Sequence, residues 1–85
     1  MDVRRLVGRN LRRLRLERAL SQEALAHDAR IAPSFLSQIE TGKRSPTVTL
    51  LQRLATALRF PIVEFFSEVK PQPSKGLPRG RRTRK

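Results

Sequence analysis

Eighty-five residues, 38% of them hydrophobic and 5% aromatic, make one small domain and little more. The absence of Cys rules out disulfide staples, thiolate zinc sites and cysteine nucleophiles, and no apolar run approaches the ~20 residues of a membrane span. A formal net charge of +12, from nineteen Lys and Arg against seven Asp and Glu, points to a polyanionic partner: nucleic acid or an acidic membrane face. Fifteen of those cations are Arg, whose planar fork matches phosphate and guanine edges. Arginines also interrupt every apolar stretch before Leu20, so no signal-peptide core is legible and a reducing, cytoplasmic setting is expected.

In chain order, Val3, Leu6, Val7, Leu11 and Leu14 recur at three- and four-residue intervals and predict a first helix with one apolar stripe. Arg4, Arg5, Arg9, Arg12, Arg13 and Arg15 fill much of its remaining surface. Ser21 before Gln22-Glu23-Ala24 supplies an N-cap hydroxyl and an acid near a positive helix end, and Leu25, Ala26 and Ala29 continue a short second helix. Pro33 suits the first turn of a third helix, whose buried face is Phe35, Leu36 and Ile39 and whose stop is Thr41-Gly42. Thr47 caps a fourth with Val48, Leu51, Leu54, Ala55 and Leu58 at helical spacing. Pro61 opens a short fifth holding Ile62, Val63, Phe65 and Phe66. Nothing alternates with period two for long, so the body, residues 1–69, reads as all-α.

Residues 70–85, KPQPSKGLPRGRRTRK, hold three of the six prolines, seven cations and no acid. With so little to bury and so much self-repulsion, they are expected to be a flexible basic tail, either a phosphate-binding arm or a solvated end.

Within the body, the segments 22–28 and 33–40 are short helices joined by a tight turn, the spacing of a helix-turn-helix. Such a unit needs a small residue where its helices nearly touch, here Ala26, and apolar residues facing back, here Leu36 and Ile39. Helical phasing leaves Ser34, Ser37 and Gln38 pointing elsewhere, an exposed row of small hydrogen-bonding residues suited to a major groove.

The landmarks Ser21-Gln22-Glu23-x-Leu25-Ala26 and Phe35-Leu36-Ser37-Gln38-Ile39-Glu40-x-Gly42-Lys43-Arg44-x-Pro46 resemble those of the Cro and phage-repressor (XRE-type) helix-turn-helix family, a likeness spanning about residues 3–67. The resemblance implies a compact five-helix lambda-repressor-like bundle and a sequence-specific, DNA-binding transcriptional regulator located in the cytoplasm at the nucleoid. It implies base contacts from Ala32, Pro33, Ser34, Ser37 and Gln38, with Gln38 the best base reader through its bidentate amide. Arg15, Ser21, Gln22, Lys43 and Arg44 correspond to phosphate contacts. Arg15 and Glu40 correspond to a structural pair tying the first helix to the end of the recognition helix.

The sequence departs from the family where Ala19, Arg30 and Arg59 stand in place of Gly, and where Ala32 replaces a Ser cap. If those three turns keep a positive φ, each costs on the order of 1 kcal/mol.

One such domain buries about 600–1,000 Å² on DNA, and relatives add affinity by dimerising so that two recognition helices enter grooves about 34 Å apart. Phe60, Ile62, Val63, Phe65 and Phe66 are the expected homodimer interface, reading an inverted repeat. A protein–protein adaptor or antitoxin-like partner on the same scaffold is the alternative. His27 is the only histidine and no second metal ligand of its kind exists, so no metal, cofactor, small-molecule substrate or enzymatic activity is expected. The partners expected are double-stranded DNA and a second copy, with another protein under the alternative reading and no membrane.

Overall fold

The computed structural model describes residues 2–68, and all their regular elements are helical. Val69, the last residue of the expected body, and the expected tail 70–85 lie outside the described residues. The elements are α1 (Val3–Glu17), α2 (Gln22–Ala29), α3 (Pro33–Glu40), α4 (Val48–Leu58) and a 3₁₀ helix, Ile62–Phe66. The fifth helix expected after Pro61 is therefore this 3₁₀ segment of five residues. Tighter i→i+3 bonding is the usual form of so short a piece.

Local chemistry sets the starts of the helices. Asp2 Oδ1 accepts the Arg4 N–H at 3.0 Å, Ser21 Oγ the Ala24 N–H at 3.0 Å, and Thr47 Oγ1 the Leu50 N–H at 3.0 Å. Ala32 offers α3 no side-chain cap, and Pro33, which has no N–H to satisfy, begins that helix.

Four chain reversals share one closure. Ala19, Arg30, Gly42 and Arg59 have φ of 57°, 64°, 83° and 62°. Each turn brings the next N–H back to a carbonyl within the helix: Leu20 to Arg15 at 3.1 Å, Ile31 to Ala26 at 3.0 Å, Lys43 to Gln38 at 2.9 Å and Phe60 to Ala55 at 3.1 Å. At the three non-glycine positions the left-handed backbone costs about 1 kcal/mol, roughly what one satisfied carbonyl returns.

The core lies where all the elements converge. Leu11, Leu14, Leu25, Leu36, Ile39, Leu54, Leu58 and Phe65 are fully buried, each contributing about 1.5–3 kcal/mol by leaving water. Helix α1 packs on α3 and on the 3₁₀ segment, while α2 packs on α3 and α4. Val3 and Val48, the first members of their expected stripes and the first residues of their helices, are 55% and 76% exposed.

Three polar or glycine positions hold the bundle in register. A Cβ on Gly8 would lie 2.3 Å from the Ile39 carbonyl oxygen and 2.6 Å from that of Glu40, so α1 and the end of α3 meet backbone to backbone. Buried Asn10 donates through Nδ2 to the carbonyls of Phe65 at 2.8 Å and Ser67 at 2.7 Å, clamping the 3₁₀ segment onto α1. Arg18 donates to the carbonyls of Leu58 at 2.7 Å and Arg59 at 3.0 Å, capping α4, and its guanidinium covers the Phe60 ring at 4.1 Å.

Candidate nucleic-acid interface

Helices α2 and α3 pack on each other, and Ala26 of α2 and Leu36 and Ile39 of α3 are all fully buried in the same core cluster. Because Leu36 and Ile39 point inward, α3 turns its opposite side to solvent. Ala32, Pro33, Ser34 and Gln38 are exposed there and Ser37 is half-buried among them. Lys43 and Arg44 are exposed just beyond its end.

One edge of this face is a buried polar network. Arg15 Nε donates to Glu40 Oε2 at 2.6 Å and Nη2 to Oε1 at 3.1 Å, a two-point pair whose side chains are 10% and 4% exposed. Arg15 Nη1 donates to the Leu20 carbonyl at 2.8 Å, and Gln22 Nε2 donates to Glu40 Oε1 at 3.0 Å. The network joins α1, the start of α2 and the last residue of α3. Little of the Arg15 side chain remains at the surface, and its donors are spent on Glu40 and the Leu20 carbonyl within the fold. Gln22, half-buried, spends one amide proton on Glu40 and keeps the other.

The other edge is open and cationic. The Arg44 guanidinium lies over the Phe35 ring at 5.0 Å, and its Nη1 is 3.5 Å from Gln38 Oε1. The Gln38 carbonyl receives the N–H groups of Lys43 at 2.9 Å and Arg44 at 3.2 Å, so the loop folds back beneath the exposed row. Arg5, itself exposed, lies against Gly42, where a Cβ would be 3.0 Å from Arg5 Cγ. Ser21 is exposed at the start of α2, its oxygen engaged as the cap.

The residues expected at a dimer interface divide. Phe65 is fully buried in the protomer core, Asn10 holding its backbone, and is corrected from interface to core. Phe60 and Ile62 are half-buried against the core, whereas Val63 and Phe66 are 64% and 44% exposed. Leu16, not singled out from sequence, adds another exposed apolar side chain. His27 and Asp28 are exposed on α2, and among the described residues no group of His, Cys, Asp or Glu side chains could hold a metal ion. Nor, among those residues, is any helix long and apolar enough to cross a membrane.

Sequence reasoning passed over Gly8, Asn10, Arg18 and the pairing of Arg44 with Phe35. Gly8 carried a usable signal, since a glycine inside an otherwise apolar-periodic helix costs about 1 kcal/mol and marks close approach.

Two short helices packed on each other, the second with its outer face bare, define a helix-turn-helix domain. A helix-turn-helix family model matches residues 11–65. The chain is 41% identical over 73 residues to the uncharacterized HTH-type transcriptional regulator y4dJ of Sinorhizobium fredii, covering 86% of this chain and 95% of that one. It superposes on the restriction-modification controller protein C.AhdI of Aeromonas hydrophila with a TM-score of 0.72 and 35% identity, over 74% of this chain and 96% of that one. The controller C.Esp1396I, solved as a tetramer in complex with its natural 35 base-pair operator, is similar at a TM-score of 0.70 and 27% identity, over 78% and 87% of the two chains. This chain belongs to the helix-turn-helix family of XRE type.

Proposed function

We propose that the protein is a sequence-specific DNA-binding regulator of transcription that acts as a homodimer on an inverted repeat, α3 lying in the major groove. One observation carries this reading: Pro33, Ser34 and Gln38 are exposed with half-buried Ser37 among them, while the apolar side of the same helix is packed against α1 and α2. Gln38 and the neighbouring Ser34 and Ser37 meet base edges, with Ala32 and Pro33 beside a thymine methyl or the sugar backbone. Lys43, Ser21 and the free amide proton of Gln22 meet phosphates on either side. The named function of y4dJ and the operator complex of C.Esp1396I support the assignment. The same reading takes residues 1–69 as the DNA-binding domain and 70–85 as a basic tail. It places the protein in the cytoplasm with no catalytic role. Val63 and Phe66, flanked by Phe60 and Ile62, are the apolar surface offered to the second copy.

Selection of bound sites from a random duplex pool tests the proposal. The expected product is a palindrome whose half-sites lie one helical turn, about 10–10.5 base pairs, apart. A pool that binds through the general electrostatic term, with no motif enriched, would overturn it.

A further inference from the structure

The placement of Arg44 sets it apart from an ordinary loop cation. Its backbone N–H is bonded to the carbonyl of Gln38, so its position is tied to the reading row and not to the rest of the loop. Its guanidinium rests on Phe35, which belongs to α3 and packs against the core. Among the described residues no carboxylate pairs with it. A phosphate contact needs no such platform, because a long flexible cation finds a phosphate unaided. A base contact does benefit. A cation–π contact holds the guanidinium without spending an N–H donor, and holding the fork still lowers the ordering cost of a two-point contact.

The neighbouring amide sharpens the chemistry. Gln38 Oε1 lies 3.5 Å from Arg44 Nη1, and the Gln38 NH2 group makes no hydrogen bond among the described residues. Side by side, the two residues present donors and little acceptor capacity. Guanine, with O6 and N7 as acceptors on its major-groove edge, is the base that such a surface fits, whereas adenine needs an acceptor opposite its amino group.

Resting on the reading given under Proposed function, we infer that Arg44 is a specificity-determining residue that contacts a guanine edge beside the base pair met by Gln38. Phe35 is its positioning residue.

Site selection with the full-length wild type, Arg44→Ala, Arg44→Lys and Phe35→Leu tests this, with thermal melts to confirm that each variant is folded. The wild-type motif should contain a G·C pair in each half-site at which Arg44→Ala loses roughly ten- to a hundredfold of discrimination, the other positions keeping theirs. Arg44→Lys should not restore it, since an ammonium has no fork, and Phe35→Leu should blunt the same position alone. If Arg44→Ala instead weakens every sequence alike, or Arg44→Lys behaves as wild type, Arg44 is a phosphate contact and the inference is wrong. An absence of any motif for the wild type would fell the regulatory reading itself, and this inference with it.

Discussion

Two arginines border the outer face of α3, and they are used in opposite ways. Arg15 is buried and gives three donors to Glu40 and the Leu20 carbonyl. Arg44 is exposed, has its guanidinium over the Phe35 ring and keeps most of its fork unspent. The same side chain is thus a brace on one edge and, in the role proposed for it, a reader on the other, and what separates the two is whether a carboxylate lies within reach. The lesson for a chain with fifteen arginines is that charge alone does not identify the ones that meet DNA. Their hydrogen-bond partners do.

The braced edge can be broken most decisively. Glu40→Ala leaves the Arg15 guanidinium buried without its anion and removes the Gln22 anchor, so unfolding free energy should fall by about 3 kcal/mol in denaturant titration. A loss under ~0.5 kcal/mol would show that the brace does not hold the fold.

The open edge is sharpened by a paired comparison. Gln38→Ala should relax preference at one base position, costing about 1–3 kcal/mol of discrimination there. Lys43→Ala should lower affinity for all duplexes alike and reduce the slope of log affinity against log salt by about one, as binding isotherms across a salt series would read. Exchange of those two patterns would mean that the base and phosphate roles are reversed.

The smallest effect comes from a site on neither edge. Arg30 holds φ of 64° just before α3, and Arg30→Gly relieves about 1 kcal/mol of backbone strain, less the entropy that glycine loses on folding. The melting temperature should rise by a few degrees, as a calorimetric scan would register. A fall would mean that the Arg30 side chain contributes more to the fold than its backbone costs.

Much of this architecture was legible in the sequence because its signals are local. Ser21, Thr47 and Pro33 mark their helix starts within one turn of the residues they serve. Ala19, Arg30 and Arg59 were marked not by a local signal but by standing where the resembled family has Gly, and all three have positive φ. The parts that stayed hidden depend on distant partners. Asn10 bonds to carbonyls 55 and 57 residues away, and Arg18 caps a helix 40 residues on. Nothing around either residue hints at that. Phe65 was misread for another reason: in a run as short and as apolar as Ile62–Phe66 no periodicity tells the inward residue from the outward ones. The Arg15 and Glu40 pair came through family resemblance, yet its tie to Gln22 and the stacking of Arg44 needed coordinates.

The seam at Gly8 has a consequence for how such a protein changes its target. Since main chain approaches main chain there, the contact of α1 with the end of α3 is made without the side chains of residues 34, 37 and 38. Those positions are free to vary toward a new operator without disturbing how the helix is carried. On the proposed reading, altered DNA preference is accessible through single substitutions at those positions, whereas any side chain at Gly8 would have to displace the end of α3.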